Sequence, residues 1–302
     1  MCIRDSGKGL IKSSIRGDDL FILCDVGNYS CTYNYFGREN SMSPDDHYQD
    51  LKRIIQAAGG KAHRINIIMP SLYGGRQHRR NYRESLDCAV ALQELQSMGV
   101  SNILTFDAHD PRVQNAVPLM GLDNIIPSYQ VLKAMFKNLS DFRPDKDHFM
   151  IISPDEGAIN RNMYYASVLG VNLGMFYKRR DYSTIIDGRN PIVAHEYMGN
   201  DVAGKDVFIA DDIISSGESM LDIAVELKKR KANKIYCYAT YPIFTNGLES
   251  FNKAYADGII DGVFGTNLTY RTPELLSSPW FYEVDCSKSV SYTHLTLPTK
   301  LE

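Results

Sequence analysis

Residues 207–220, VFIADDIISSGESM, set two carboxylates, Asp211 and Asp212, at the end of an apolar strand-like run, with Ser215, Ser216, Gly217, Glu218 and Ser219 just beyond. Backbone N–H groups in a tight turn, backed by a helix N-terminus, attract an anion. The serine hydroxyls add donors, while neighbouring carboxylates accept hydrogen bonds from sugar hydroxyls. Phosphate donors beside polyol acceptors suit a ribose phosphate. A second reading stays open on this segment: Ser215-x-x-Glu218 is also a capping-box pattern, and paired aspartates before a turn are often simply solvated.

Four more stretches carry chemistry-bearing side chains. SLYGGRQHRRNYRE groups Arg76, Arg79, Arg80 and Arg83, whose guanidinium forks bind phosphate oxygens and stack on aromatic faces. TFDAHDP places Asp107, His109 and Asp110 at the end of another strand-like run, a donor set able to hold a divalent metal or its waters. SPDEG offers Asp155 in a comparable place. FYKRRDYS follows a strand with Lys178, Arg179 and Arg180. It reads either as a mobile cationic loop closing on a polyphosphate or as a basic surface turn.

Short apolar runs alternate with amphipathic segments, the grammar of a mostly parallel α/β fold. Strands are expected at 20–24, 65–69, 102–106, 148–152, 172–177, 206–210 and 234–240. Ser43-Pro44-Asp45-Asp46 is a helix start with N-cap, first-turn proline and acids for the dipole. Leu51, Ile54, Ile55 and Ala58 follow at helical spacing, and Gly59-Gly60 ends the helix. Further helices are expected at 84–98, near 157–169 and near 217–231, where Met220, Ile223, Ala224 and Leu227 share one face. The polar LSDFRPDKD, 139–147, is the linker candidate. It divides the chain into domains at 7–140 and 146–289. NIIMPSLYGGRQHRRN and FMIISPDEGAINRNMY echo one another as strand, proline, glycine-bearing turn and Arg/Asn-rich helix start, as two related domains would.

The chain has 302 residues, enough for two domains, with 44% hydrophobic and 23% charged residues and a net charge of −3. That balance argues against a nucleic-acid partner held by a whole-protein field. No apolar run reaches the length of a membrane span and no secretory signal is visible. The six cysteines show no C-x-x-C pair, which fits reduced thiols in the cytoplasm. MCIRDS (1–6) and the last 13 residues (290–302) read as translated sequencing-adapter sequence, so the native protein is expected to extend further at both ends.

In their order, GGRQHRR, FDAHD, ISPDEG, YKRRD and IADDIISSGES resemble the ribose-phosphate pyrophosphokinase (phosphoribosyl pyrophosphate synthetase) family over about Arg16 to Asp285. The resemblance implies two tandem phosphoribosyltransferase-like domains, each a mostly parallel sheet flanked by helices, assembled as a homo-oligomer, usually a hexamer. It implies transfer of a pyrophosphoryl group from ATP to the 1-hydroxyl of ribose 5-phosphate with Mg2+, in nucleotide biosynthesis. By the same resemblance Arg76, Gln77 and His109 contact ATP, and His109 and Asp155 serve the metal. Lys178 and Arg180 are catalytic, and Asp211, Asp212, Ser215, Ser216, Gly217, Glu218 and Ser219 receive ribose 5-phosphate. The chain departs from the family pattern in three places. Asp-Thr-Gly-Gly-Thr becomes Ser215-Ser216-Gly217-Glu218-Ser219, Arg-Gln-Asp-Arg-Lys becomes Arg76-Gln77-His78-Arg79-Arg80, and no Asp-Gly-Glu adenine-contact motif precedes Arg16. The competing readings are a non-catalytic regulatory homologue and a type I phosphoribosyltransferase. Retention of Lys178, Arg180, His109 and Asp155 weighs against the first, and the tandem architecture against the second.

Overall fold

A computed structural model describes residues 7–80, 82–180 and 192–289, with backbone alone at 178–180 and 192–195. The segments read as adapter sequence, 1–6 and 290–302, lie outside the described residues. The chain forms two compact units.

The first unit contains β1 (Asp19–Leu23), β2 (Thr32–Tyr35), β3 (Arg38–Ser41), α1 (Pro44–Ala58), β4 (Arg64–Ile68), α2 (Asp87–Ser97), β5 (Asn102–Phe106), a 3-10 turn (Pro111–Ala116) and β6 (Gly121–Ile125). Its sheet runs β1-β4-β5-β6, every pair parallel. The helix expected after Ser43 forms as α1: Ser43 Oγ accepts the Asp46 N–H at 3.2 Å, and the Asp46 carboxylate accepts the Ser43 N–H at 2.9 Å. Gly59 closes the helix in the left-handed region, φ 56°. The face that α1 buries, Tyr48, Leu51, Ile55 and Ala58, packs into a core with Ile67, Leu92, Leu95 and Ile103. The antiparallel β2–β3 hairpin is a separate small sheet absent from the sequence expectations.

The second unit contains α3 (Ser128–Asn138), β7 (Phe149–Ser153), α4 (Ile159–Leu169), β8 (Asn172–Arg180), β9 (Ile192–Met198), β10 (Asp206–Ile214), α5 (Glu218–Lys229), β11 (Ile235–Pro242), α6 (Glu249–Ala256), β12 (Gly262–Thr266), α7 (Pro273–Ser277) and β13 (Phe281–Val284). Its seven strands run β13-β12-β11-β10-β7-β8-β9. Only β9 is antiparallel to its neighbour. Every residue of β7, β11 and β12 is buried, as in central parallel strands covered on both faces. The chain leaves β7 for β8 on one side, whereas β10 leads to β11 on the other. The sheet's order therefore reverses between β7 and β10, the switch point where such sheets bind ligands beyond the carboxyl ends of their strands.

The division between the units falls at Pro127/Ser128, upstream of the expected linker at 139–147, and Leu268–Tyr270 groups with the first unit. Three contacts explain this. Helix α3 packs against β13, so it belongs to the second sheet. Asp25 accepts the Tyr270 N–H at 3.1 Å, with Tyr29 edge-on to Tyr270 at 5.2 Å.

Candidate active site

Three aspartates gather at the switch point. Asp155 lies two residues past β7, and Asp211 and Asp212 lie within β10 itself. The sequence places the end of this strand at Ala210. It runs on to Ile214 because β11 continues beside it, Asp211 against Ala239 and Ile214 against Pro242. Asp212 is buried, while 26% of the Asp211 side chain is exposed. The Asp212 N–H donates to Asp211 Oδ1 at 2.9 Å, and Arg161 Nη1 of α4 stands 3.8 Å from the same oxygen. Burial, with the negative charges of Asp212 and Asp155 behind it, pushes the Asp211 carboxyl up to about 8; Arg161 opposes the shift without cancelling it.

Beyond the aspartates Gly217 turns the chain with φ 81° and caps α5 without any side-chain hydrogen bond. The capping-box reading of Ser215 and Glu218 therefore fails. That box needs Ser215 at the cap and Glu218 three residues inside the helix. Here Glu218 is the first helical residue, exposed, its N–H 3.5 Å from Ser216 Oγ. The loop's carbonyls are taken: Ile214 accepts from Ile243 and Phe244, and Ser215 from Thr245. Among the described residues no hydrogen bond occupies the backbone N–H of Ser215, Ser216, Gly217 or Ser219. Four N–H donors thus stand at a helix N-terminus beside carboxylates, an arrangement able to receive an anion.

Lys178 and Arg180 do not sit in a loop. The β8 backbone continues through them, Lys178 opposite His195 and Arg180 opposite Ile192, with a register shift between Arg179 and Arg180. Antiparallel pairing with β9 extends the strand, and the expectation about their side chains lies outside the described residues.

In the first unit the turn after β4 carries Arg76 and Gln77, both exposed. Gly74 at φ 65° lets this turn close on α2, since a Cβ there would lie 3.0 Å from the Cys88 nitrogen. The loop after β5 is anchored on β6, with the Asp107 N–H donating to Ile125 O and the Ala108 N–H to Asn124 Oδ1, both at 2.9 Å. This presents His109 outward. His78 joins the two loops, its Nε2 3.4 Å from Asp110 Oδ2 and its ring 5.3 Å from that of His109. Desolvation lowers the His78 imidazole's pKa. Asp110 caps the 3-10 turn and is gripped by the Arg112 guanidinium, which holds its carboxyl far below the usual range.

A family model, the N-terminal domain of ribose phosphate pyrophosphokinase, matches residues 6–99, and a second, the phosphoribosyl transferase domain, matches residues 122–258. The chain belongs to the ribose-phosphate pyrophosphokinase family. The ribose-phosphate pyrophosphokinase of Ralstonia nicotianae is 27% identical over 85% of this chain and 72% of its own length. The protein of the same name from Shewanella oneidensis is 28% identical over 88% and 76%. In fold, the chain is similar to the crystal structure of phosphoribosylpyrophosphate synthetase from Mycobacterium smegmatis, with TM-score 0.74 and 20% identity over 94% of this chain and 83% of that one.

Within this family frame the structure brings Asp155, Asp211, Asp212 and the 215–219 loop to one sheet edge of the second unit. It brings Arg76, Gln77 and His109 to neighbouring loops of the first. His109 and Asp155, paired as metal residues on the sequence, belong to different units. Among the described residues no group of three or more His, Cys, Asp or Glu side chains is arranged to hold a metal ion. Arg161, Asn162 and His78 are absent from the sequence-based site. The Arg/Asn-rich helix start marked the first two, while His78 was marked as the departure from the aspartate of the Arg-Gln-Asp-Arg-Lys pattern.

Proposed function

We propose that the chain transfers the pyrophosphoryl group of ATP to the 1-hydroxyl of ribose 5-phosphate, giving phosphoribosyl pyrophosphate and AMP. The observation that carries this reading is the partition at the switch point: Asp211 and Asp212 stand directly before a glycine-turned loop with four unoccupied N–H donors. The 5-phosphate takes the N–H groups and hydroxyls of Ser215, Ser216, Gly217 and Ser219, and the ribose hydroxyls donate to the aspartates. Held at both ends, the sugar presents its 1-hydroxyl in a fixed direction, the orientation an in-line displacement needs. Glu218 faces solvent in this arrangement and has no assigned contact with the phosphate.

The residues present fit Mg2+. Asp155, Asp211 and Asp212 are hard oxygen donors, and burial together with the charges of Asp212 and Asp155 already raises Asp211. Mg2+ keeps several of its waters and needs only one or two carboxylates, which suits a cluster that is not a closed cage. Bound there with the substrates, the ion supplies charge neutralisation on the phosphate oxygens. We assign Arg76, Gln77 and His109 to ATP, with His109 also reaching the metal that accompanies it. Lys178 and Arg180 neutralise charge on the transferred group. The family's homo-oligomer, a hexamer, and a cytoplasmic setting complete the proposal. Free Cys24, Cys31, Cys88, Cys237 and Cys286 support that setting, and no helix among the described residues is long and apolar enough to cross a membrane.

The decisive assay supplies ATP, Mg2+ and ribose 5-phosphate and follows AMP. AMP that appears only when all three are present supports the reading. No AMP, with pyrophosphate released from phosphoribosyl pyrophosphate and a nucleobase, replaces it with phosphoribosyl transfer. Binding of nucleotide without either product replaces it with a regulatory role.

A further inference from the structure

Strands β7 and β10 pair from Phe149 opposite Asp206 to Ile152 opposite Ile209, and there the pairing ends. Beyond it β7 stays with β8, Ser153 opposite Met175, while β10 stays with β11. Two central strands that part leave the next carbonyl, that of fully buried Ala210, without a ladder donor. A buried carbonyl requires a partner. The Asn162 side chain supplies it: Nδ2 donates to Ala210 O at 2.8 Å and to Ala158 O at 2.9 Å, and lies 3.3 Å from Ser153 Oγ. Ser153 Oγ donates in turn to Asp155 O at 2.8 Å. One amide therefore grips the residue before Asp211 and is one hydroxyl away from the Asp155 backbone.

Asn162 is fully buried, and its Oδ1 has no hydrogen-bond partner. An unmet buried acceptor is a stability cost that an apolar side chain of similar volume would avoid. What the amide contributes at this position is its donor.

We propose that Asn162 is a positioning residue: it fixes the separation of the Asp155 and Asp211 backbones across the switch-point crevice, and with it the spacing of the carboxylates that receive ribose 5-phosphate and its metal. The identity of the ligand rests on the function proposed above; the brace itself rests on the hydrogen bonds.

The test compares Asn162→Ala and Ser153→Ala with Val263→Ala, a buried core truncation in β12 remote from the crevice. Three readouts are used: amide hydrogen exchange without ligand, calorimetric titration of the folded proteins with ribose 5-phosphate in Mg2+, and the KM for ATP in the AMP assay. Asn162→Ala is expected to speed exchange at residues 155–158 and 210–212 and to weaken ribose 5-phosphate about tenfold, the loss of roughly one hydrogen bond's worth of ordering. Its KM for ATP should hold. Ser153→Ala, which removes one arm, should give the same pattern at smaller size and decides the matter if Asn162→Ala does not fold. Native exchange at both segments in these variants overturns the proposal, and so does an equal loss of ribose 5-phosphate affinity in Val263→Ala. If the unmodified protein itself takes up no ribose 5-phosphate, the functional reading fails, and the exchange pattern still decides the brace.

Discussion

Gly217 meets Phe251 so closely that a Cβ at position 217 would stand 2.3 Å from Phe251 Cε2. The same residue holds φ 81°, a region that other residues enter only at a cost. Phe251 is fully buried against Phe244 and Trp280, so the ring has nowhere to retreat. Gly217→Ala is therefore expected to lose about 1–3 kcal/mol of stability from backbone strain and overpacking. It should also reorient the Ser215–Ser219 donors and lose ribose 5-phosphate binding. Denaturant melts and calorimetric titration check both. A variant with native stability would show that the loop relaxes freely.

Asp211 lies beside Asp212 and Asp155, with the Arg161 guanidinium 3.8 Å away in partial compensation. A carboxyl pushed up to about 8 is mostly protonated at pH 7 in the unliganded protein, so an amide should cost the fold little there while taking from the proposed site an acceptor and a metal donor. Asp211→Asn is thus expected to melt at the same temperature as the unmodified chain or higher, and to form AMP about a hundredfold more slowly or worse. Parallel melting and AMP assays decide it. A variant that loses stability and activity together would place Asp211 in the scaffold.

The parts of this structure that the sequence made legible are those governed by neighbours along the chain. Helix α1 is an example, because Ser43, Pro44, Asp46 and Gly59 each act within four residues of the end they mark. The length of β10 depended on β11, whose partner residues stand 28 positions away, Asp211 against Ala239, and no local pattern announces that. The Ser215-x-x-Glu218 spacing misled because Gly217, free to adopt a positive φ, took the cap position instead. The β2–β3 hairpin was hidden by its turn, where Phe36 holds φ 51° ahead of Gly37 at 71°, a place where Asn-Gly or Asp-Gly would have signalled a hairpin. The aspartates of the candidate site and its serine-glycine loop were readable as types in order. Arg161 and Asn162 showed only as an Arg/Asn-rich helix start, since the partners that tie them to β10, Asp211 and Ala210, lie some fifty residues downstream.

In the first unit, Glu94 receives Lys52 Nζ and the Tyr48 hydroxyl, both at 2.9 Å. These contacts, the lysine foremost, hold its carboxyl below its ordinary value of 4.5. A carboxyl lowered in the folded state stabilises above its unfolded value and loses that contribution as pH falls through the folded one. Glu94→Gln is therefore expected to be less stable than the unmodified protein at pH 7, and the gap should close as pH drops below about 4.5. The gap will be small, because the side chain is 41% exposed and solvent screens the pair. Denaturant melts from pH 7 to 3 check the sign. A gap that widens in acid would contradict the assignment.

The thiols divide by environment. Burial pushes Cys24 and Cys237 up to about 12 and Cys88 up to about 11, while Cys31 lies exposed beside the hairpin. Because the thiolate is the reactive form, at pH 8 these three carry almost none of it; Cys88 and Cys237 are buried as well, as is Cys286, while Cys24 is half-buried. Cys2 lies outside the described residues, so the clean experiment is made in a Cys2→Ser background. There a disulfide reagent is expected to modify one thiol within the mixing phase, and Cys31→Ser should abolish that phase. Cys24, Cys88 and Cys237 should react only as the protein unfolds, at a rate that rises with denaturant. Fast modification of Cys237 in the folded protein would mean that the β10–β11 core opens far more readily than its burial allows.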